Sequence, residues 1–340
     1  MKLSVIPNFE NFGVYVDDLD LENITESEWL QLRDELCSQY LLIIFRDTNL
    51  TKKTYSKRIG QWGSSSFGLR NVFRKYGLSI KDIPQVRKHI NNLTELGISK
   101  EDSELVQYVY STVVSEYSSP GTSVTRLMGT STDDNKFLEG DLEWHQDESS
   151  DIAFCSYISL LGSENMTASA TGFVTTAGWY QEQTESFKSE LADMIVVHEF
   201  AEEKFNSSLS NLERMVIESS VGFDYELPLV VNSPGGFAGL HYPINSIKKI
   251  KGMNQSESNA LFKLINDSVF DNSRIYDHWY QQDNDLLIFD NTISLHRRIG
   301  STYKRVAYRI PFNVSTESIR YIQPDYAARY SEIQSTLFFN

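Results

Sequence analysis

The stretch LEWHQDESS, residues 142–150, contains a histidine and an aspartate two positions apart, His145 and Asp147. Imidazole nitrogens and carboxylate oxygens both bind divalent metals. If this stretch is a strand, the two side chains lie on the same face, because strand side chains alternate. The spacing alone is weak evidence, since roughly 0.8 such pairs arise by chance in a chain of this composition. A solvated strand edge is the alternative reading of the isolated pair.

A metal held by His145 and Asp147 needs a third ligand, and His296 is the best placed of the other histidines because it follows the apolar run and turn LLIFDN. Two histidines and one carboxylate with open coordination positions form the facial triad of non-haem Fe(II) oxygenases. The same set also suits zinc, so a zinc-dependent hydrolase stays open. His296 as a buried core histidine is another alternative, and His241 or His278 is then the next candidate ligand.

Two arginines, Arg305 and Arg309, follow in the segment YKRVAYRIPFNV. Their spacing of four predicts that both face the same side of a strand. Inward guanidinium groups beside a metal suit an anionic co-substrate. A non-catalytic β-helix protein that binds a small acid or a metal would not need this pair. The alternative is that each arginine forms a structural ion pair with an acid such as Asp283 or Asp290.

The elements that must position these residues are mainly short strands. From Ser123 onward, apolar or alternating runs are separated by Gly, Asn and Asp, a rhythm typical of a jelly roll of antiparallel strands. The run at 41–45 predicts a buried strand. Capping and apolar spacing predict three helices, at about 26–38, near 180–192 and near 255–267.

Composition narrows the functional classes. The 340 residues are 40% hydrophobic and can bury a large core. With 31 basic and 46 acidic residues the net charge is -15, which argues against a nucleic-acid partner. No run is long enough for a membrane span or a signal sequence, so we expect a soluble cytoplasmic protein. The two cysteines, Cys37 and Cys155, are too few for a disulfide framework. The oligomeric state is not indicated.

Several ordered motifs resemble the taurine dioxygenase and clavaminate synthase-like family of Fe(II)/2-oxoglutarate-dependent oxygenases, over roughly residues 11–313. They are LLIIFRDTNLT, WHQD, ATGFVTTAGWY, LPLVVNSPGG, DNDLLIFDN and KRVAYR. The resemblance implies a mainly β fold, a double-stranded β-helix (jelly roll) core with flanking α-helices. We therefore expect a single oxygenase domain over 1–340. The polar segment at about 64–122 would be a peripheral insertion or lid, and about 314–340 a C-terminal extension.

The resemblance also implies roles for individual residues. The positions that resemble the iron ligands are His145, Asp147 and His296. Arg305 resembles the residue that binds the distal carboxylate of 2-oxoglutarate, and Thr171 the hydroxyl that assists it, although threonine is also common in strands for packing alone. Arg309 resembles a substrate-binding position. Because Arg305 comes only nine residues after His296, the choice between the two arginines for 2-oxoglutarate stays open.

The activity implied is hydroxylation of an unactivated C–H bond in a small carboxylate or amino-acid-like substrate. Fe(II) is the metal, 2-oxoglutarate and O2 are co-substrates, and succinate and CO2 are released. Desaturation or cyclisation of the substrate remains an alternative outcome. No histidine lies between Phe45 and Lys88 to match the sulfonate-binding histidine of taurine enzymes. Taurine is therefore not the expected substrate.

Overall fold

The structure, a computed structural model, describes part of the chain. The described residues are 1–63, 76, 92–100, 103, 125–128, 142–147, 155–199, 224–300 and 305–314. The expected insertion at 64–122 and extension at 314–340 fall almost wholly outside these residues. Within the described part, no helix is long and apolar enough to cross a membrane.

Strands dominate the described residues. In chain order they are β1 Lys2–Val5, β2 Gly13–Asp17, β3 Leu42–Phe45, β4 Thr125–Met128, β5 Leu142–His145, β6 Tyr157–Glu164, β7 Ser169–Thr175, β8 Ile195–Glu199, β9 Asp224–Pro228, β10 Val230–Asn232, β11 Ala238–Leu240, β12 Ile247–Ile250, β13 Tyr276–Trp279, β14 Leu286–Asp290, β15 Ser294–Gly300 and β16 Val306–Phe312.

Two of the sheets build the jelly roll. The larger has seven strands in the order β1-β2-β3-β14-β6-β16-β4, and the smaller has four in the order β13-β7-β15-β5. All neighbours are antiparallel except β2 and β3, which are parallel. The sheets pack face to face, with the rings of Phe173 and Phe289 5.0 Å apart between them. Within the described part of the chain the strands do not close into a barrel, and the other β structure there is a three-stranded sheet (β12-β8-β9) and the β10-β11 pair.

Helices flank this sandwich. They are α1 Glu26–Cys37, α2 Lys52–Trp62, α3 Thr176–Gln181, α4 Glu185–Ala192 and α5 Gln255–Val269, and a short 3-10 helix covers Leu93–Leu96. Capping boxes start α1, at Thr25 with Glu28, and α5, at Asn254 with Glu257. Both predicted helix starts are confirmed, whereas the single helix predicted near 180–192 is two helices.

Side chains alternate between the two faces of each strand, and the apolar ones form three layers. Helices α1 and α2 cover the outer face of the larger sheet, where Trp29 stacks on Trp62. A second layer fills the space between the sheets. The third lies on the outer face of the smaller sheet, under α3 and α5. In β15, Leu295 belongs to this outer layer, whereas the ring of His296 lies 4.8 Å from that of Phe289 between the sheets. The space between the sheets therefore also holds the polar side chain of His296.

Candidate metal centre and anion pocket

Three candidate ligands meet at one end of the smaller sheet. Strand pairing places His145 of β5 directly opposite His296 of β15, with ring centroids 4.2 Å apart. Asp147 Oδ1 lies 3.4 Å from His145 Nε2 and 3.7 Å from His296 Nε2. One ligand atom from each residue therefore falls within 4.8 Å of the others. The structure brings together the three residues that the sequence singled out.

Asp147 reaches this cluster in a way that strand alternation did not predict. Strand β5 ends at His145, and Asp147 lies in the turn that follows. The Asn291 side chain binds the Asp147 backbone twice, accepting from its N–H at 3.0 Å and donating to its carbonyl at 2.9 Å. The buried Gln146 amide donates to the carbonyls of Asn291 and Thr292. The prediction of a strand through Asp147 was wrong because these side chains replace strand pairing.

The His145 ring is held in the tautomer that a metal ligand needs. Its Nδ1 lies 2.7 Å from the carbonyl oxygen of Glu143. Because a carbonyl only accepts hydrogen bonds, Nδ1 carries the proton. Nε2 is then left with its lone pair, directed at the cluster.

The charges at the cluster also suit a cation. Burial alone would raise the pKa of Asp147, but the Arg309 guanidinium and the two histidines hold that pKa well below its usual range. Burial, followed by the neighbouring His145, lowers the pKa of His296 to about 3. At neutral pH the site therefore presents an ionised carboxylate and a neutral imidazole from His296.

Arg309 contacts the cluster directly. Its Nε donates to Asp147 Oδ2 at 2.6 Å, which leaves Oδ1 as the oxygen that faces the histidines. The alternative partners named from the sequence are occupied elsewhere: Asp290 accepts from the backbone N–H groups of Thr292 and Ile293, and Asp283 from that of Met166.

Arg305 lies immediately before β16 and is only 6% exposed. Its guanidinium carbon is 5.5 Å from the ring centroid of Tyr280. Tyr280 and Thr171 are also buried, and their hydroxyl oxygens are 3.0 Å apart. Among the described residues Arg305 pairs with no carboxylate, and its Nη1 has no hydrogen-bond partner. A buried, uncompensated guanidinium is costly, so this pocket suits an anion.

The remaining described histidines lie outside the cluster. His278 contacts Asp285 at 3.1 Å, and His198 contacts the Ser246 hydroxyl at 3.1 Å. His241 is buried with its Nδ1 3.2 Å from the Thr292 carbonyl oxygen. His89 lies outside the described residues.

Sequence reasoning missed Asn291 and Tyr280. Asn291 belongs to the quoted motif DNDLLIFDN, and its position next to a predicted ligand strand was the available signal. No comparable signal marked Tyr280, because its neighbours come from residues distant in sequence.

The chain belongs to the taurine catabolism dioxygenase TauD, TfdA family, whose sequence model matches residues 7–310. No curated protein sequence matches the chain. Solved structures share its fold at low identity. A structure assigned as an alpha-ketoglutarate-dependent taurine dioxygenase from Burkholderia xenovorans is 16% identical, with a TM-score of 0.60 and 92% of each chain covered.

A second structure, AAD-2 in complex with Mn(II) and N-oxalylglycine, is also 16% identical, with a TM-score of 0.59, covering 92% of this chain and 96% of that one. The family defines this protein as a 2-oxoglutarate-dependent non-haem iron dioxygenase that uses Fe(II) and 2-oxoglutarate. The described residues fit both groups: the His, Asp, His donor set suits Fe(II), and the buried Arg305 Nη1, which has no hydrogen-bond partner among them, suits a carboxylate of 2-oxoglutarate.

Proposed function

We propose that this dioxygenase hydroxylates an unactivated C–H bond of a small carboxylate or amino-acid-like substrate. The iron ligands in this proposal are His145, Asp147 and His296. Arg305 with Thr171 binds the distal carboxylate of 2-oxoglutarate, and Arg309 attracts the acidic group of the substrate. The observation that carries the substrate class is the Arg309 guanidinium at the metal cluster, 2.6 Å from Asp147.

The neighbouring groups of the two arginines indicate different roles. Arg305 lies in a pocket with two hydroxyl groups and no carboxylate among the described residues, which supports an anion that enters from outside. Arg309 already contacts the cluster through Asp147. We therefore assign 2-oxoglutarate to Arg305, the choice that the sequence left open.

The charge at the site supports an acidic substrate. Fe(II) with Arg305 and Arg309 would bring four positive charges, whereas Asp147 and the two carboxylates of 2-oxoglutarate bring three negative ones. One positive charge stays uncompensated among these groups, and opposite charge is favoured strongly where water is excluded. A substrate with a single carboxylate would balance it.

When bound, Fe(II) and 2-oxoglutarate supply the oxidising chemistry, in which O2 is consumed and succinate and CO2 are released. His145 and His296 would offer their Nε2 atoms, and Asp147 would offer Oδ1 because Arg309 holds Oδ2. Three protein ligands would leave open coordination positions on the metal for the 2-oxo acid and for O2. Since Asp147 takes the third protein position, no place for a halide remains, which favours hydroxylation over halogenation.

The test is a screen of amino acids and small carboxylates for stimulated succinate release with Fe(II), 2-oxoglutarate and O2. Each acid that stimulates succinate release is compared with its uncharged amide. The mass of each product is measured by mass spectrometry. A gain of one oxygen supports hydroxylation, and a loss of two hydrogens indicates desaturation or cyclisation instead.

Arg309→Ala isolates the anchoring role. Its iron affinity is measured first, because Arg309 also contacts Asp147. The proposal predicts that the variant loses most of the preference for the acid over its amide. An unchanged preference, or responsive compounds that all lack an acidic group, would remove the anchoring role from Arg309.

A further inference from the structure

The pocket at Arg305 contains a third polar residue, Tyr280. Tyr280 is 1% exposed and lies directly after β13. Its backbone N–H donates to the Ser169 carbonyl. A buried phenol needs a hydrogen-bond partner. Among the described residues its hydroxyl has one, the Thr171 hydroxyl at 3.0 Å.

This pocket has more donors than acceptors. Two hydroxyl groups that bond to each other use one proton and leave the other without an acceptor. Arg305 Nη1 is also buried without an acceptor among the described residues. Thr171 and Arg305 are 3% and 6% exposed, so water has little access to correct the imbalance. A carboxylate, which only accepts and has about four acceptor positions, complements this set.

His278 and its hydrogen-bond partners hold the ring of Tyr280 in place. Its ring meets that of His278 edge to face, with centroids 4.8 Å apart. His278 Nε2 lies 3.1 Å from Asp285 Oδ2, and its Nδ1 lies 3.2 Å from the Tyr276 hydroxyl. Burial raises the pKa of Tyr280, so its hydroxyl keeps its proton at neutral pH. These contacts hold a donor beside Arg305.

We propose that the Tyr280 hydroxyl donates a hydrogen bond to the distal carboxylate of 2-oxoglutarate, next to Arg305 and Thr171. This inference rests on the proposed function, because it takes the Arg305 pocket as the 2-oxoglutarate site. It makes Tyr280 a determinant of co-substrate choice: the pocket selects 2-oxo acids that carry a second carboxylate at this distance.

The test compares two ligands on iron-loaded, oxygen-free protein. One is 2-oxoglutarate, and the other is 2-oxopentanoate, which has the same chain but lacks the distal carboxylate. Affinity is followed by the visible charge-transfer band of the chelate. Because a hydrogen bond to a charged group is lost, Tyr280→Phe should lower the affinity for 2-oxoglutarate by about 10- to 100-fold. The affinity for 2-oxopentanoate should stay within about twofold of wild type.

Tyr242→Phe is the matched control. It removes the hydroxyl of another buried tyrosine, which donates to the Phe262 carbonyl and contacts neither Thr171 nor His278. We expect wild-type affinity for both ligands. If Tyr280→Phe leaves 2-oxoglutarate binding unchanged, or weakens both ligands equally, the proposal is wrong.

The double variant Thr171→Ala/Tyr280→Phe separates direct contact from action through Thr171. Direct contact predicts that Tyr280→Phe weakens binding further in the Thr171→Ala background. No further loss there would mean that Tyr280 only orients Thr171, which overturns the proposal. Arg305→Met shows which idea has failed: if it too binds 2-oxoglutarate normally, the pocket assignment in the proposed function is wrong, not the role of Tyr280 alone.

Discussion

Arg305→Met should change binding and stability in opposite directions. Methionine keeps much of the length and apolar character of the side chain but removes the charge. In the structure Arg305 is only 6% exposed, with no carboxylate partner among the described residues. The ligand-free protein therefore bears the cost of an uncompensated buried charge that 2-oxoglutarate would neutralise.

The expected magnitudes follow from that burial. Losing one partner of a buried, hydrogen-bonded charge pair costs about 3–5 kcal/mol, or about two to four powers of ten in affinity for 2-oxoglutarate. Without ligand, the same substitution removes a desolvated charge, so the melting temperature should stay the same or rise. Residues that bind at the expense of stability commonly behave in this way.

Arg58→Met is the matched control. Arg58 is buried to a similar degree, but its guanidinium donates to the carbonyls of Leu21 and Glu22 and to the Gln61 side chain. Its loss leaves the buried Leu21 carbonyl unpaired, at about 1–3 kcal/mol, and two part-buried acceptors at a smaller cost. This variant should melt several degrees lower and still bind 2-oxoglutarate with wild-type affinity.

The assay is calorimetric titration of 2-oxoglutarate into iron-loaded protein without oxygen, with thermal melts of the ligand-free variants. If Arg305→Met melts as low as Arg58→Met and binds 2-oxoglutarate normally, then Arg305 is a structural residue. The charge argument for the pocket would then be refuted.

Two further predictions concern the turn before β15. Asn291→Ala removes both side-chain bonds to the Asp147 backbone and should weaken iron binding by about 10- to 100-fold in a metal titration; unchanged affinity would show that the turn holds Asp147 without Asn291. Burial raises the pKa of Asp290 to about 7, above its ordinary 3.8, so the folded state binds the proton more tightly. Stability relative to Asp290→Asn should therefore fall as pH rises from about 4 to 7, which urea unfolding at several pH values measures; a difference independent of pH would contradict this.

The sequence predicted the jelly roll, and it singled out all three side chains that the structure brings together. Apolar alternation in β15 requires that Leu295 and His296 face opposite sides, and the structure shows this. The same alternation was wrongly extended to Asp147, because the Asn291 side chain that binds its backbone lies 144 residues further along the chain.

Other features depend on contacts that alternation and motif spacing do not encode. The pairing of Arg309 with Asp147 spans 162 positions. The sequence pattern alone did not decide whether Arg305 or Arg309 pairs with an acidic residue. Tyr280 meets Thr171 across 109 positions. Such contacts depend on which strands become neighbours between the two sheets, and this is known only once the sheet order is known.

The most direct test of the metal centre is an anaerobic titration of Fe(II) in the presence of 2-oxoglutarate. We expect a visible charge-transfer band that saturates at one iron per chain in the wild type. The band should be lost in His296→Ala and kept in His241→Gln, whose histidine is buried outside the cluster. A colourless wild type that releases no succinate with O2, or a His296→Ala protein that keeps the band, would contradict the assignment of the iron ligands.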